Sequence, residues 1–313
     1  PAYFVHLPPM NWLREALKTA LTFAPTDLLE IVTNYSVLRA DGGRLLPPRS
    51  VTGSKTVLYK HAHRLAVAPG IPAPENPAPG IPGTSGTPSS SEDFTVPDTT
   101  AVSNNHTPPP MSGKQTPVSP AAGASGRPDP PILFLEFGVF EGNSIRRWAK
   151  LNPHPDSRFV GFDSFEGLPT KWRQRPAGHF STDGLPPEIA DPRVSFVKGW
   201  FHDTVPGFLD ALAHRRGLEG DEKNLPGVVI HIDADLYTSA IFLLTQLHPY
   251  FDRYHVLFDD YAAGEARALY AYLVAYGADF QPLLGRKRHP RAFVPNQAFG
   301  HLTTNRPHPR PRK

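Results

Sequence analysis

Apolar positions from Ile132 onward follow two alternating rhythms along the chain. Short continuous runs, ILFLEF, RFVGFD, RVSFVKG, VVIHID and HVLFDD, read as buried strands. Between them NSIRRWAKL, PGFLDALAHR, TSAIFLLTQLHPYF and GEARALYAYLVAYG space their apolar residues as helices do. The closing ADFQPLL and QAFGHLTT predict a terminal strand pair. Alternating strands and helices build a mostly parallel sheet covered on both faces, so the predicted fold class is α/β, doubly wound and Rossmann-like.

Upstream the rhythm is helical. NWLREALKTALTF and TDLLEIVTNYSVL, the second with Thr26 or Asp27 as N-cap, predict an N-terminal helical segment over residues 1–65. Within it SVTGSKTVLYKHAHRLAV reads as a third helix or a flap, with Tyr59, His61 and His63 in structural or surface roles. Residues 66–131, crowded with Pro, Gly, Ser and Thr, cannot bury enough apolar surface to offset their ordering entropy and read as a disordered linker. The α/β domain is then expected over 132–304, with a basic tail over 305–313.

Composition narrows the chemistry. A chain of 313 residues that is 39% hydrophobic has room for a substantial core. With no cysteine, thiolate zinc sites and disulfides are ruled out, which favours a hard cation held by oxygen or imidazole. No apolar run approaches a membrane span and no charged-then-apolar leader opens the sequence, so a soluble, cytoplasmic protein is expected. The net charge of +3 is uneven: Arg286 to Lys313 carries eight Lys/Arg and no acid, leaving 24 bases against 29 acids before it. The tail reads as a solvated end rather than a nucleic-acid site.

Acidic residues recur where the predicted strands end: Glu136, Asp163, Asp233 with Asp235, and Asp259 with Asp260. The carboxyl ends of parallel strands form the rim where such sheets bind ligands, and a carboxylate there needs a hydrogen bond or a cation. The turn Glu136-Phe137-Gly138-Val139-Phe140-Glu141-Gly142 leads into a helix near Asn143. Gly138 and Gly142 permit a tight turn and close backbone approach, and Asn143 and Ser144 open the helix toward an anionic group. The third glycine of a dinucleotide fingerprint is missing, and Glu136 would repel a pyrophosphate. S-adenosylmethionine fits better, its cationic end facing the acids and its ribose facing Asp163. Strands lie ~4.8 Å apart in a sheet, so Asp233 and Asp259 or Asp260 can share one Mg²⁺, an ion that favours oxygen ligands. Asp235 is then free as a general base. His231 reads as an internally bonded core residue and His179 as a solvated loop residue.

EFGVFEGNSI, GFDSFEGLP, VKGWFHDTVP, HIDADLYTSA and FDDY, in that order, resemble the motifs of class I S-adenosylmethionine-dependent methyltransferases, and within them the macrocin O-methyltransferase-like sugar methylators. The resemblance covers about Ile132 to Leu284. It implies that Glu136, Gly138 and Ser144 line the methionine end of the cofactor, Asp163 its ribose, and Trp200 and Phe201 its adenine. It also implies Asp233, Asp259 and Asp260 as Mg²⁺ ligands and Asp235 as base. The expected partner is a small-molecule hydroxyl acceptor, on a sugar or other natural product, and a homo-oligomer is compatible with the sequence. A metal-dependent nucleotide-sugar glycosyltransferase, reading Asp233-Ala234-Asp235 as its metal motif, is the alternative enzyme. A non-catalytic scaffold docking through the Pro-rich insert and basic tail is the alternative without chemistry.

Overall fold

The computed structural model describes residues 44–68, 129–219, 227–287 and 294–305. The two expected N-terminal helices, nearly all of the expected linker and all but the first residue of the basic tail lie outside the described residues. In chain order the elements are β1 (Ser50–Thr52), α1 (Lys55–Val67), β2 (Ile132–Phe137), α2 (Asn143–Leu151), β3 (Arg158–Asp163), β4 (Val194–Lys198) and α3 (Phe201–Glu219). They continue with β5 (Gly227–Ile232), α4 (Tyr237–Leu247), β6 (Arg253–Phe258), a 3₁₀ turn (Tyr261–Ala263), α5 (Glu265–Tyr276), β7 (Asp279–Lys287) and β8 (Gln297–Thr303).

The strands form one sheet in the order β1-β7-β8-β6-β5-β2-β3-β4. Five consecutive strands of that order, from β6 to the edge strand β4, run parallel, and β8 is antiparallel to both β6 and β7. The predicted doubly wound class and the terminal strand pair are thus both present. Chain order reverses beside β2, whose neighbours are β3 on one side and β5 on the other. Such a switch point opens a crevice at the carboxyl ends of the strands.

Period-two alternation distributes the core over two layers. Leu133, Leu135 and Phe137 of β2 face α3, α4 and α5 with Ile230, Ile232, Val256 and Phe258. Ile132 and Phe134 face the other way, against Leu58, Tyr59 and Ala62 of α1 and Ile145, Trp148 and Ala149 of α2. Trp148 is fully buried and stacks on Phe134 with ring centroids 5.0 Å apart. The same parity places Glu136, register partner of His231, in the α1/α2 layer.

Two expectations change in detail. SVTGSKTVLYKHAHRLAV is a strand followed by a helix: β1 pairs with β7, and α1 runs to Val67. Tyr59 and His63 are buried, as structural roles require, and His63 Nε2 lies 3.8 Å from Asp129 just ahead of β2. α3 begins at Phe201, ahead of Pro206, the residue at which the sequence pattern starts it. Proline there leaves the His202 carbonyl without its helical N–H partner and crowds it.

Trp148→Ala should cost about 3–5 kcal/mol of unfolding free energy, the range for deleting a large buried aromatic. Urea denaturation followed by circular dichroism measures it.

Candidate active site

A cavity of ≈ 320 Å³ opens at the carboxyl ends of β2, β3, β5 and β6. Its lining includes Gly138, Asp163, Trp200, Phe201, Asp233, Asp235, Asp259 and Asp260 among the expected site residues. Glu136, Gly142 and Ser144 do not line it.

Gly138 takes φ +93°, and its N–H donates to the Phe162 carbonyl at 2.9 Å. A Cβ at this position would stand 2.0 Å from the Asp233 carbonyl oxygen, so only glycine lets the β2 loop pass the end of β5. Asp163 holds the loop from the other side. Its Oδ2 accepts the N–H groups of Val139 at 2.8 Å and Phe140 at 2.9 Å, and its Oδ1 accepts that of Phe165 at 2.8 Å. The residue expected to meet a ribose therefore also fixes the turn that shapes the cavity. Beyond β4, Gly199 N–H donates to the Asp163 carbonyl, which presents Trp200 and Phe201 to the same space.

Glu136 does not close a strand as the sequence pattern suggests, because β2 continues to Phe137. Its side chain is buried beneath the rim, where Oε1 pairs with His231 Nδ1 at 2.8 Å. His231 is buried and internally bonded, as expected, and its Nε2 faces Asp259 Oδ1 at 3.7 Å, an ion-pair rather than a hydrogen-bond distance. Gly142 is the left-handed residue ahead of α2, and the Ser144 hydroxyl is 3.1 Å from the Tyr59 hydroxyl.

The acids converge because the ladders continue past the strand ends. Asp233 N–H donates to the Phe137 carbonyl and Asp259 N–H to the Ile232 carbonyl, both at 2.9 Å. His231, Asp233 and Asp259 can each offer a ligand atom within 4.8 Å of the others. Asp260 is held through its backbone, whose N–H donates to Glu265 Oε2 at 2.9 Å. Asp235 has φ +58°, a left-handed conformation that Asp tolerates better than most residues.

Charge is poorly balanced here. Burial and the facing Asp259 charge drive the Asp233 carboxyl well above its usual range. Burial together with Asp260 pushes Asp235 up to about 8. Burial also raises Glu136, Asp260 and Glu265. Asp259 is the exception: burial works against its ionisation, but His231 and Lys55 outweigh it and bring it down to about 2. His231 in turn is depressed by burial yet held up at about 10 by Asp259 and Glu136. A buried set of oxygens with this much surplus negative charge, including an Asp259 Oδ1 without a hydrogen bond, suits a hard divalent cation.

The sequence reading missed Lys55, whose Nζ lies 2.5 Å from Asp259 Oδ2, and the cavity wall formed by Trp172, Arg175, Phe140 and Phe180. Arg175 lies over both Trp172 and Phe180, at 4.9 and 5.0 Å from the ring centroids. Interleaved cations and aromatics in KWRQRPAGHF were the available signal for the wall; a lone lysine at a helix start gave none. His179 stays exposed, as expected of a loop histidine.

Residues 135–261 match a family described as a methyltransferase domain. The 8-demethyl-8-(2,3-dimethoxy-alpha-L-rhamnosyl)-tetracenomycin-C 4'-O-methyltransferase of Streptomyces olivaceus is 32% identical over 166 residues, 46% of this chain and 58% of that protein. The chain thus spans 58% of this relative's length. Among solved structures, the O-methyltransferase NovP aligns at TM-score 0.38 and 20% identity, over 53% of this chain and 70% of its own. CalS11, a TDP-rhamnose 3'-O-methyltransferase of calicheamicin biosynthesis, aligns at TM-score 0.34 and 20% identity, over 56% and 73%. The methyltransferase resemblance read from the motifs is borne out for residues 135–261. No helix among the described residues is long and apolar enough to cross a membrane.

In metal-free buffer the cluster sets a pH dependence. Asp235 titrates near 3.8 when exposed and at about 8 when folded, so within that window the native state holds a proton that the unfolded chain has lost. Stability therefore falls as pH rises through the window. Asp235→Asn, which cannot titrate, should flatten that slope; melting temperatures across the window in chelator are the readout.

Proposed function

We propose that this chain is an S-adenosylmethionine-dependent, Mg²⁺-dependent O-methyltransferase acting on a hydroxyl of a sugar or other small-molecule natural product. The observation that carries the reading is the meeting of Asp233, Asp235, Asp259 and Asp260 in one cavity with the Gly138 loop. The similarity to a rhamnosyl O-methyltransferase supports the reaction class. The glycosyltransferase and scaffold readings gain no observation of their own.

In this proposal Gly138 and Asp163 cradle the cofactor, Asp163 through the loop it clamps, with Trp200 and Phe201 as an apolar wall for its base. Glu136 contributes from beneath by holding His231 against Asp259. Gly142, expected to bind the cofactor, and Ser144, expected at its methionine end, lie outside the cavity lining and shape the turn and the start of α2.

Asp233, Asp259 and Asp260 would hold Mg²⁺. When bound, the ion supplies Lewis acidity that lowers the pKa of an acceptor hydroxyl. Asp235 is the proton acceptor, a carboxylate that lines the same cavity and is left free by the three proposed ligands. Arg175 is close enough for its charge to favour the ionised form of Asp235. Trp172, Phe140 and Phe180 give the same cavity an apolar wall. S-adenosylmethionine, bound in this cavity, would supply the methyl group, its carbon–sulfur bond giving way to the new carbon–oxygen bond. Asp235 would take the proton that the acceptor hydroxyl loses.

Isothermal titration separates the parts. Asp163→Asn should weaken S-adenosylmethionine by roughly 10- to 100-fold, the worth of one charge-assisted hydrogen bond to the loop. Asp259→Asn should leave cofactor affinity nearly intact while losing Mn²⁺ binding and methyl transfer from radiolabelled cofactor to rhamnosylated acceptors. A wild-type chain that binds no S-adenosylmethionine would sink the proposal.

A further inference from the structure

Lys55 stands apart from the segment that matches the methyltransferase domain, on the first residue of α1. Its position is set from two sides. β1 pairs in parallel with the far strand β7, and Arg286 Nε donates to the Gly53 carbonyl at 2.7 Å, next to the α1 start. Leu58, Tyr59 and Ala62 then bury α1 on the sheet. The ammonium so placed reaches Asp259 Oδ2 and also faces Asp233 and Asp260.

Lys55 holds Asp259 at Oδ2, whereas Oδ1 lies 3.7 Å from His231 Nε2 and has no hydrogen bond. A divalent ion that draws this carboxylate toward Asp233 therefore meets the ammonium of Lys55 beside it, two positive charges on one group. His231 is fully buried and tied to Glu136 through its other nitrogen. Lys55 is 34% exposed on a flexible stem, whereas Asp259 is 5% exposed.

We propose that Lys55 is a built-in counter-cation of the acidic site, holding Asp259 in the metal-free protein and surrendering it when the divalent ion binds. The inference rests on the cation reading of the site given above. It makes Lys55 a positioning residue whose like charge weakens ion binding, while its presence keeps the buried carboxylate paired when no ion is there. An exposed ion pair would carry little weight, but here one partner is buried, and removing its counter-charge leaves an uncompensated carboxylate.

The test is Mn²⁺ binding to the full chain, by isothermal titration and by the electron paramagnetic resonance of free Mn²⁺. Lys55→Met and Lys55→Gln should bind Mn²⁺ about 10- to 100-fold more tightly than wild type, the effect of deleting a nearby like charge. Lys55→Arg, which keeps the charge, should bind like wild type. In chelator the neutral variants should melt below wild type, and saturating Mn²⁺ should close the gap. Wild-type binding with unchanged or weaker affinity in both neutral variants would overturn the role of Lys55 and leave the metal site standing. Absence of Mn²⁺ binding in wild type and all variants would overturn the metal reading and this inference together.

Discussion

The structure turns on the cost of crowding buried carboxylates. Asp235, Asp259 and Glu265 are buried, Asp233 and Asp260 half-buried, and all lie within electrostatic reach of one another. Few arrangements of an α/β sheet tolerate this without compensation. The compensation comes from several layers: His231 from within β5, Lys55 from α1, and the guanidinium groups of Arg173 and Arg175 from the long loop after β3. Elements on several sides of the cavity therefore carry its charge balance.

That constraint explains why the β2 loop and the β3 turn are tied so closely. Gly138 passes against the Asp233 carbonyl, and Asp163 gathers three backbone N–H groups. The backbone of the proposed cofactor crevice is thus fixed by the same strand ends that present the acids. Cofactor and cation would share one rigid frame, which suits a reaction in which the donor carbon and the acceptor oxygen must be held in line.

Much of this could be read along the chain because parallel strands end in register. Residues just past Ile232 and Phe258 must lie side by side if β5 and β6 are neighbours, so Asp233 and Asp259 were visible as a pair. Glu136 was misread for a reason just as physical. One position before the end of β2, its parity sends it into the α1/α2 layer, whereas the rim belongs to residues beyond Phe137. Lys55 could not be found by local pattern, since the residue it meets is 204 positions away and nothing in the short β1 announces pairing with β7. The reach of Asp163 to Val139 and Phe140 was also hidden, because a carboxylate that bonds backbone N–H groups of another loop carries no side-chain partner in the sequence.

The approach of His63 to Asp129 gives the fold a tolerance of its own. Asp129, just ahead of β2, stands within one side-chain contact of the helix that carries Lys55. That contact ties the entry of β2 to the seat of the lysine through residues far apart in sequence. Closure entropy grows only by about 0.6 kcal/mol for each doubling of a flexible connection, so the distance along the chain weighs little against such a tie.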